Sequence, residues 1–271
     1  MRRRRNAITP GSEWALVTGA GSGIGKCYAT RLAELGYNVI IAGNIAQPLF
    51  DLQKELTETY GGIKVEVLVM DLARVEASDE LYNHVKEAGI EITVLVNNAG
   101  VFSFCDILNT PVERIDRMLF LHDLTMSKNC RLFGADMAAR GRGYILNMSS
   151  FSVWMPWPGM ALYGGTKAYV RSFTKSLAWE MRQHGVNVTA VCPAGVATDL
   201  YGLPSKWQRI GRNLKVLVSP DYCARHGLKA LWRGKRCIVP DWWNRIGIPL
   251  CMILPQWLIK PLRKYTMQFQ K

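Results

Sequence analysis

The sequence lacks the cysteine and histidine patterns that indicate disulfide or metal chemistry. Its seven cysteines are odd in number and form no pair separated by two residues, and its four histidines show no metal-ligand spacing. A disulfide framework or a structural zinc site needs such pairs. We therefore expect no metal site, and a chain that works in the reducing cytoplasm.

Long hydrophobic runs are also missing. The apolar stretch 246–259 contains 14 uncharged residues but is interrupted by Pro249 and Pro255, whereas a membrane-spanning helix needs about 20 apolar residues. The N-terminal letters MRRRRN are followed by a short polar stretch and not by the apolar core of a signal peptide. The sequence therefore predicts neither a spanning helix nor a secretory signal.

Acidic residues are too few to balance the basic ones, since 34 lysines and arginines face 21 aspartates and glutamates and the formal net charge is +13. Such a charge suits nucleic acid, an anionic membrane surface or a phosphorylated cofactor. The basic residues are scattered, however, with neither zinc-finger spacing nor an aromatic RNA-binding motif. We expect no nucleic-acid partner, and nucleic-acid binding remains a hypothesis that rests on charge alone.

What the chain does contain is an alternation of short β-rich runs and longer amphipathic stretches. Runs that are apolar on both faces and separated by helices indicate a parallel sheet covered on both sides. We therefore predict one doubly wound α/β domain with a parallel sheet of about seven strands. The runs are WALVTGA, NVIIAG, KVEVLVMD, VLVNNAG, GYILNMSS, NVTAVCPAG and RCIVP.

A glycine-rich turn follows the first predicted strand. The letters ALVTGAGSGIG place Gly19, Gly23 and Gly25 between that strand and the first helix. The first glycine permits a tight turn, the later ones let the backbone approach a pyrophosphate closely, and the helix N-terminus offers N–H donors to its oxygens. Because strand and helix flank the turn as this motif demands, it predicts a dinucleotide site.

A serine, a tyrosine and a lysine occur at fixed intervals after the fifth strand. Tyr163 and Lys167 are four residues apart, so their side chains lie on one face of a helix, and Ser150 comes thirteen positions before the tyrosine. Taken alone, the tyrosine and the lysine also fit a solvated helix face.

Together these motifs resemble the short-chain dehydrogenase/reductase family. The glycine spacing, Asp71, the letters NNAG at 97–100, the serine–tyrosine–lysine set and the letters CPAGVATD at 192–199 follow in the family's order. The resemblance implies a Rossmann-type fold, a nicotinamide cofactor and a homodimer or homotetramer. It is nearest to members that act on fatty-acyl, 3-keto-sphingoid or steroid substrates.

The resemblance also implies which residues contact the cofactor. Asp71 and Leu72 would contact the adenine ring, and Val196 and Thr198 the nicotinamide carboxamide. After the second strand the chain has Asn44 and no acid, so a 2′-phosphate meets no repulsion, which favours NADP(H) and leaves NAD as the alternative. The expected cofactor-binding residues are Gly19, Ser22, Gly23, Ile24, Gly25, Asn44, Asp71, Leu72, Asn98, Ala99, Gly100, Tyr163, Lys167, Pro193, Val196 and Thr198.

The catalytic roles follow from hydride chemistry. Reduction of a ketone leaves an alkoxide that needs a proton, which Tyr163 can donate, and the cation of Lys167 favours the phenolate that results. Ser150 would polarise and position the substrate oxygen, with Ser149 as second choice. Where the family usually has an asparagine that supports a proton relay, this chain has His122 or Asp123. We include His122 among the catalytic residues, although a buried core histidine is the alternative.

Apolar and basic segments surround this predicted centre. Five apolar residues between the serine and the tyrosine would form a substrate wall or ordinary core: Val153, Trp154, Met155, Trp157 and Met160. The resemblance places a substrate lid at about 200–219, where a basic stripe would face phosphates, a lipid headgroup or only solvent: Lys206, Arg209, Arg212 and Lys215.

We divide the chain into a basic N-terminal segment at 1–11, a catalytic domain at 12–240 and an apolar, basic tail at 241–271. The tail carries Trp242, Trp243 and Trp257 beside basic residues, a composition that suits peripheral membrane contact, a flap over the substrate or a subunit contact. The predicted function is NADP(H)-dependent oxidoreduction between a hydrophobic ketone and its secondary alcohol. The alternative is a nucleotide-binding sensor or membrane scaffold with weak or no catalysis.

Overall fold

A computed structural model describes residues 8–155, 157–198 and 217–252, together with residues 206 and 209. Seven parallel strands form one sheet in the order β3-β2-β1-β4-β5-β6-β7. This confirms the predicted doubly wound fold and its number of strands. The strands are β1 (Trp14–Thr18), β2 (Asn38–Gly43), β3 (Val65–Val69), β4 (Ile92–Asn97), β5 (Gly143–Met148), β6 (Val186–Val191) and β7 (Cys237–Ile238).

Helices cover both faces of the sheet because alternate strand residues point to opposite sides. Val17 and Ile41 pack into one buried cluster with the first helix, whereas their neighbours Leu16 and Ile40 pack into a second cluster on the other face. The helices are α1 (Gly23–Glu34), α2 (Ala46–Thr59), α3 (Ala77–Glu87), α4 (Val112–Leu119), α5 (Met126–Ala139), α6 (Ala161–Arg182), α7 (Pro220–Trp232) and α8 (Trp242–Met252).

The helical region between β4 and β5 contains an irregular turn. The stretch 112–139 contains α4 and α5, and a π-helical turn, Phe120–Thr125, joins them. A π turn accommodates an extra residue per turn and is frequent at functional sites. The turn contains His122 and Asp123, the two candidates for the family's asparagine.

The C-terminal predictions lie partly beyond the described residues. Most of the predicted lid, including Arg212 and Lys215, falls outside them, as does the tail after residue 252 with Trp257. In the ranges that the structure describes, no helix is both long enough and apolar enough to cross a bilayer.

Candidate active site

A cleft of about 430 Å³ opens at the carboxyl ends of the strands. It lies where the strand order reverses between β1 and β4, the place where open α/β sheets bind their ligands. Sixteen of the predicted site residues line this cleft: Gly19, Ser22, Gly23, Ile24, Asn44, Asp71, Leu72, Asn98, Ala99, Gly100, Ser150, Tyr163, Lys167, Pro193, Val196 and Thr198.

The glycine turn leaves room for a ligand because no side chain fits there. Gly19 and Gly23 have φ values of +63° and +55°, in the left-handed region that favours glycine. Gly25 does not line the cleft, but a Cβ at this position would lie 2.0 Å from the carbonyl oxygen of Gly19 and 2.5 Å from Nδ2 of Asn98. The side chain of Ser22 makes no capping bond to α1. The N–H groups in the first turn of α1 are therefore available as donors for an anion in the cleft. The glycine turn and this helix end together fit a dinucleotide pyrophosphate.

Asn98, which follows β4, holds the glycine turn in place through hydrogen bonds. Its Nδ2 donates to the carbonyl oxygens of Thr18 and Gly19, each at 3.1 Å. The hydroxyl of Thr18 accepts in return from the backbone N–H groups of Asn98, at 3.0 Å, and Ala99, at 3.1 Å. The side-chain amide therefore holds β1 and β4 together under the cleft, in addition to lining it.

Asp71, at the predicted adenine end, is held by two partners. It accepts from the backbone N–H of Ala73 at 3.0 Å and forms an ion pair with Arg117, with Nη1 to Oδ2 at 3.0 Å. The backbone hydrogen bond and the guanidinium of Arg117 lower the pKa of Asp71. Arg117 also lines the cleft, and sequence analysis missed it because α4 carries no motif that singles out one basic residue.

Tyr163 and Lys167 lie side by side on α6 and are both buried. Nζ of Lys167 lies 5.8 Å from the centroid of the Tyr163 ring and donates to the carbonyl oxygen of Met148 at 3.0 Å. Burial lowers the pKa of Lys167 to about 8, while the nearby carboxylate of Asp123 acts in the opposite direction. The ammonium is therefore largely charged at neutral pH, as stabilisation of a phenolate requires.

The two serines after β5 have different environments. Oγ of Ser149 donates to the carbonyl oxygen of Lys167 at 2.7 Å, so its proton is engaged in holding α6 against the strand. Oγ of Ser150 accepts from the backbone N–H of Ser152 at 3.1 Å, which leaves its own proton free to donate toward the cleft. The geometry agrees with the preference for Ser150 over Ser149 as the substrate-binding serine.

His122 lies in the π-helical turn, 98% inaccessible to solvent. Its Nε2 accepts from the backbone N–H of Val101 at 3.0 Å, so Nδ1 carries the proton and donates to Oγ1 of Thr166 at 2.9 Å. That hydroxyl donates to the carbonyl oxygen of Tyr163 at 2.9 Å. Burial, with a smaller effect from Lys167, holds the pKa of His122 well below its usual value. The ring is therefore neutral and engaged at both nitrogens.

Asp123, the other candidate for the asparagine position, is in a less satisfied environment. Within the described ranges its buried Oδ1 has no hydrogen-bond partner. Burial raises the pKa of Asp123 to about 6, and the charge of Lys167 moderates the rise. The structure thus brings an underbonded carboxylate near the ammonium of Lys167, while His122, which also lies close to that ammonium, is engaged at both ring nitrogens.

The apolar residues predicted as a substrate wall are not part of this cleft in the described region. Trp154 instead packs against Phe151, with ring centroids 5.7 Å apart, and carries the guanidinium of Arg171 at 4.6 Å from its ring centroid. For this tryptophan the structure favours core packing. The apolar lining comes from residues that sequence analysis did not single out, Ile45, Pro48, Leu49, Met70, Val101, Leu121 and Met148.

Comparisons with known proteins agree with this geometry. The sequence profile of the family described as short chain dehydrogenase matches residues 13–209. The very-long-chain 3-oxoacyl-CoA reductase of Pyricularia oryzae is 36% identical over 252 residues, which cover 87% of this chain and 73% of the relative. The 17-beta-hydroxysteroid dehydrogenase type 3 of Mus musculus is 34% identical over 193 residues, covering 69% of this chain and 61% of the relative.

Coverage of the relatives is partial for several of them. Three other very-long-chain 3-oxoacyl-CoA reductases are matched over 54–56% of their length, so the chain spans little more than half of these curated relatives. Among solved structures, a short-chain dehydrogenase from Sphingobium yanoikuyae in complex with NADPH has a TM-score of 0.77 and 26% identity, over 90% of this chain and 97% of that one.

Proposed function

The chain belongs to the short-chain dehydrogenase family, and on this premise we propose that it reduces a hydrophobic ketone with NADPH, Tyr163 being the proton donor. It is an oxidoreductase of the class that interconverts ketones and alcohols. One observation carries the assignment of the site. The glycine turn before α1 and the side chains of Ser150, Tyr163 and Lys167 line a single cleft.

The choice of NADPH over NADH rests on the end of β2. Gly43 and Asn44 line the cleft there and carry no negative charge, so a 2′-phosphate meets no repulsion. The formal net charge of +13 attracts the additional phosphate. The related structure from Sphingobium yanoikuyae contains NADPH.

Each catalytic residue has a role that its surroundings support. When bound, NADPH supplies the hydride that adds to the carbonyl carbon. As negative charge develops on the substrate oxygen, Ser150 donates a hydrogen bond to it and Tyr163 transfers its phenolic proton to it. The ammonium of Lys167 then stabilises the tyrosinate. Because all three side chains are less than a tenth exposed, these charges interact in a largely water-excluded site.

We assign His122 a positioning role and not a proton-relay role. Its neutral ring links the backbone of Val101 to Thr166, whose hydroxyl in turn bonds to the backbone of Tyr163. A relay through this ring would have to break one of the two bonds that hold it. Asp123, near Lys167 and lacking a partner at Oδ1 in the described part of the chain, is better suited to receive a proton.

The substrate class that we propose is a long-chain 3-oxoacyl thioester or a steroid ketone. The 3-oxoacyl-CoA reductase of Pyricularia oryzae and the mouse 17-beta-hydroxysteroid dehydrogenase type 3 are named for such substrates.

We further propose that α8 contacts a membrane surface, which would make the protein a cytoplasmic enzyme held peripherally on a membrane. The described part of α8 exposes Trp242, Trp243 and Ile246 at 51%, 55% and 68% of their surfaces, and the two indole rings stack with centroids 3.6 Å apart. Tryptophan is enriched where proteins meet the interface of a bilayer. A homodimer or homotetramer, usual in the family, completes the proposal.

The decisive experiment measures NADPH oxidation by the purified chain with a long-chain 3-oxoacyl thioester and, separately, with a steroid ketone. Tyr163→Phe should lower kcat by at least about a thousandfold, because it removes the proton donor. Its affinity for NADPH should stay within about threefold of wild type. Tyr169→Phe, on the same helix but bonded to Ser127 at the surface, is the matched control and should keep its activity.

A second function is nucleotide sensing with weak catalysis. The observation that favours it is that both ring nitrogens of His122 are hydrogen-bonded, so the ring is not available as a proton relay. It predicts that NADPH binds tightly while no carbonyl in a broad panel consumes it. Substantial activity in Tyr163→Phe would contradict the catalytic assignment itself.

A further inference from the structure

Two cysteines lie against each other at the edge of the sheet. Sγ of Cys192, directly after β6, is 3.7 Å from Sγ of Cys237 in β7, and both are free thiols. Cys192 is fully buried, whereas Cys237 is partly exposed. The backbone N–H of Cys192 donates to the carbonyl oxygen of Ile238 at 2.8 Å, so the two strands are held together beside the sulfur atoms.

The surroundings of Cys237 are electropositive. The guanidinium of Arg171 places one positive charge near its sulfur, and Lys175, one turn further along α6, adds a second. The stacking of Arg171 on Trp154 fixes this guanidinium. The hydrogen bond between the two sulfur atoms and the charge of Arg171 lower the pKa of Cys237, while the same hydrogen bond, followed by burial, raises the pKa of Cys192. Low-pKa, accessible thiols next to a second cysteine are those that oxidants select.

We propose that Cys192 and Cys237 form a hydroperoxide-oxidisable dithiol that closes to a disulfide beside the cofactor cleft. The thiolate of Cys237 attacks one peroxide oxygen, so that an S–O bond forms, the O–O bond breaks and the leaving oxygen departs protonated. The thiol of Cys192 then attacks the resulting sulfenic acid. An S–S bond forms, the S–O bond breaks, and the leaving hydroxide takes the proton of Cys192 to become water.

Formation of this disulfide should shift residues that line the cleft. The sulfur atoms must approach by about 1.7 Å to reach the S–S length of about 2.05 Å. Cys192 is followed by Pro193, which lines the cleft and whose carbonyl oxygen accepts from the backbone N–H of Phe151 at 2.8 Å. Phe151 is in turn adjacent to Ser150. The oxidised protein is therefore expected to bind NADPH several-fold more weakly, and a dithiol reductant, oxidised in exchange, restores the affinity.

The test treats the full chain with hydrogen peroxide, blocks the remaining thiols and maps the peptides by mass spectrometry. We expect one cross-linked pair that contains residues 192 and 237, two hydrogens lighter than the reduced peptides and reversed by dithiothreitol. Cys192→Ala, which keeps the buried site apolar, should stop at a sulfenic acid on Cys237 that dimedone traps. Cys27→Ser should form the disulfide as wild type does.

Alkylation provides a readout that does not depend on enzymatic activity. Cys27 is also partly buried, but burial and Asp221 raise its pKa, so it is the matched control within the same molecule. Iodoacetamide at pH 7 should modify Cys237 at least about tenfold faster than Cys27. Arg171→Met should reduce that ratio several-fold.

Three results would overturn the proposal. They are a Cys237 that reacts no faster than Cys27, a peroxide-treated protein without the 192–237 link, and a disulfide that leaves NADPH affinity within twofold of the reduced protein. The first two results do not involve the cofactor, and the third requires only that NADPH binds, so this proposal and the proposed reductase activity can fail separately.

Discussion

Gly25→Ala tests the glycine cradle most directly, because the structure gives the size of the conflict. The added methyl would lie 2.0 Å from the carbonyl oxygen of Gly19, and that atom is backbone, already bonded to Nδ2 of Asn98 at 3.1 Å. A separation of at least about 3 Å is needed, so helix and turn must part by about 1 Å. Overpacking of this kind costs about 1–3 kcal/mol. For a domain of this size, that lowers Tm by roughly 2–4 °C per kcal/mol.

The same displacement moves the N–H donors of α1 away from the pyrophosphate. We expect the Kd for NADPH to rise by at least about tenfold, which corresponds to about 1.4 kcal/mol. Titration of NADPH fluorescence together with thermal unfolding measures both effects. Gly61→Ala is the control, because a methyl there meets no described atom within 4 Å. A Gly25→Ala protein with wild-type Tm and a Kd within twofold of wild type would refute the reasoning.

Three further predictions concern the cofactor, the lysine and the surface. Asn44→Asp should lower kcat/KM for NADPH relative to NADH by at least about tenfold, because a carboxylate at the end of β2 repels the 2′-phosphate; an unchanged ratio would count against the assigned end of the cleft. Since the pKa of Lys167 is about 8, its ammonium loses a proton as pH rises through that value, so kcat/KM for reduction should fall above about pH 8. Lys167→Arg, which stays charged, should lack this fall, and a fall at the same pH in the variant would exclude the lysine as its source. Replacing Trp242 and Trp243 by serine should reduce co-sedimentation with anionic phospholipid vesicles without changing turnover of a water-soluble ketone, and equal sedimentation would exclude α8 as the contact.

The fold could be predicted because its signals are local and redundant. A strand buried on both faces needs an apolar residue at nearly every position, as in NVIIAG, and such runs stand out between amphipathic helices. The glycines at 19, 23 and 25 could also be predicted as a ligand-binding turn from their spacing. The structure gives the reason for that spacing, because each glycine has a conformation or a close contact that a side chain would prevent. Helical spacing predicted that Tyr163 and Lys167 share one helix face, and their order after the glycine turn and Ser150, which resembles that of the family, distinguished them from a solvated pair.

Other parts of the site depend on contacts between distant segments. Arg117 pairs with Asp71 across 46 positions of the chain, and no pattern within α4 distinguishes it from Arg114, the other basic residue of that helix. Trp154 was expected either in the substrate wall or in the core, and its packing on Arg171 depends on where α6 passes the turn after β5. Spacing cannot resolve such alternatives because the partners belong to different elements.

The π-helical turn carries both candidates for the position at which the family usually has an asparagine. His122, one of the two candidates for that position, provides one acceptor, Nε2, and one donor, Nδ1–H, as a side-chain amide also can. Burial keeps the ring neutral, so it behaves like an amide throughout the pH range in which an exposed histidine would titrate. The bonds to Val101 and Thr166 therefore do not weaken as the medium becomes mildly acidic, and the backbone of Tyr163 stays positioned. Any acid-side loss of activity in this protein should then come from another group, and Asp123, with a pKa of about 6, is the group whose protonation changes the charge next to Lys167.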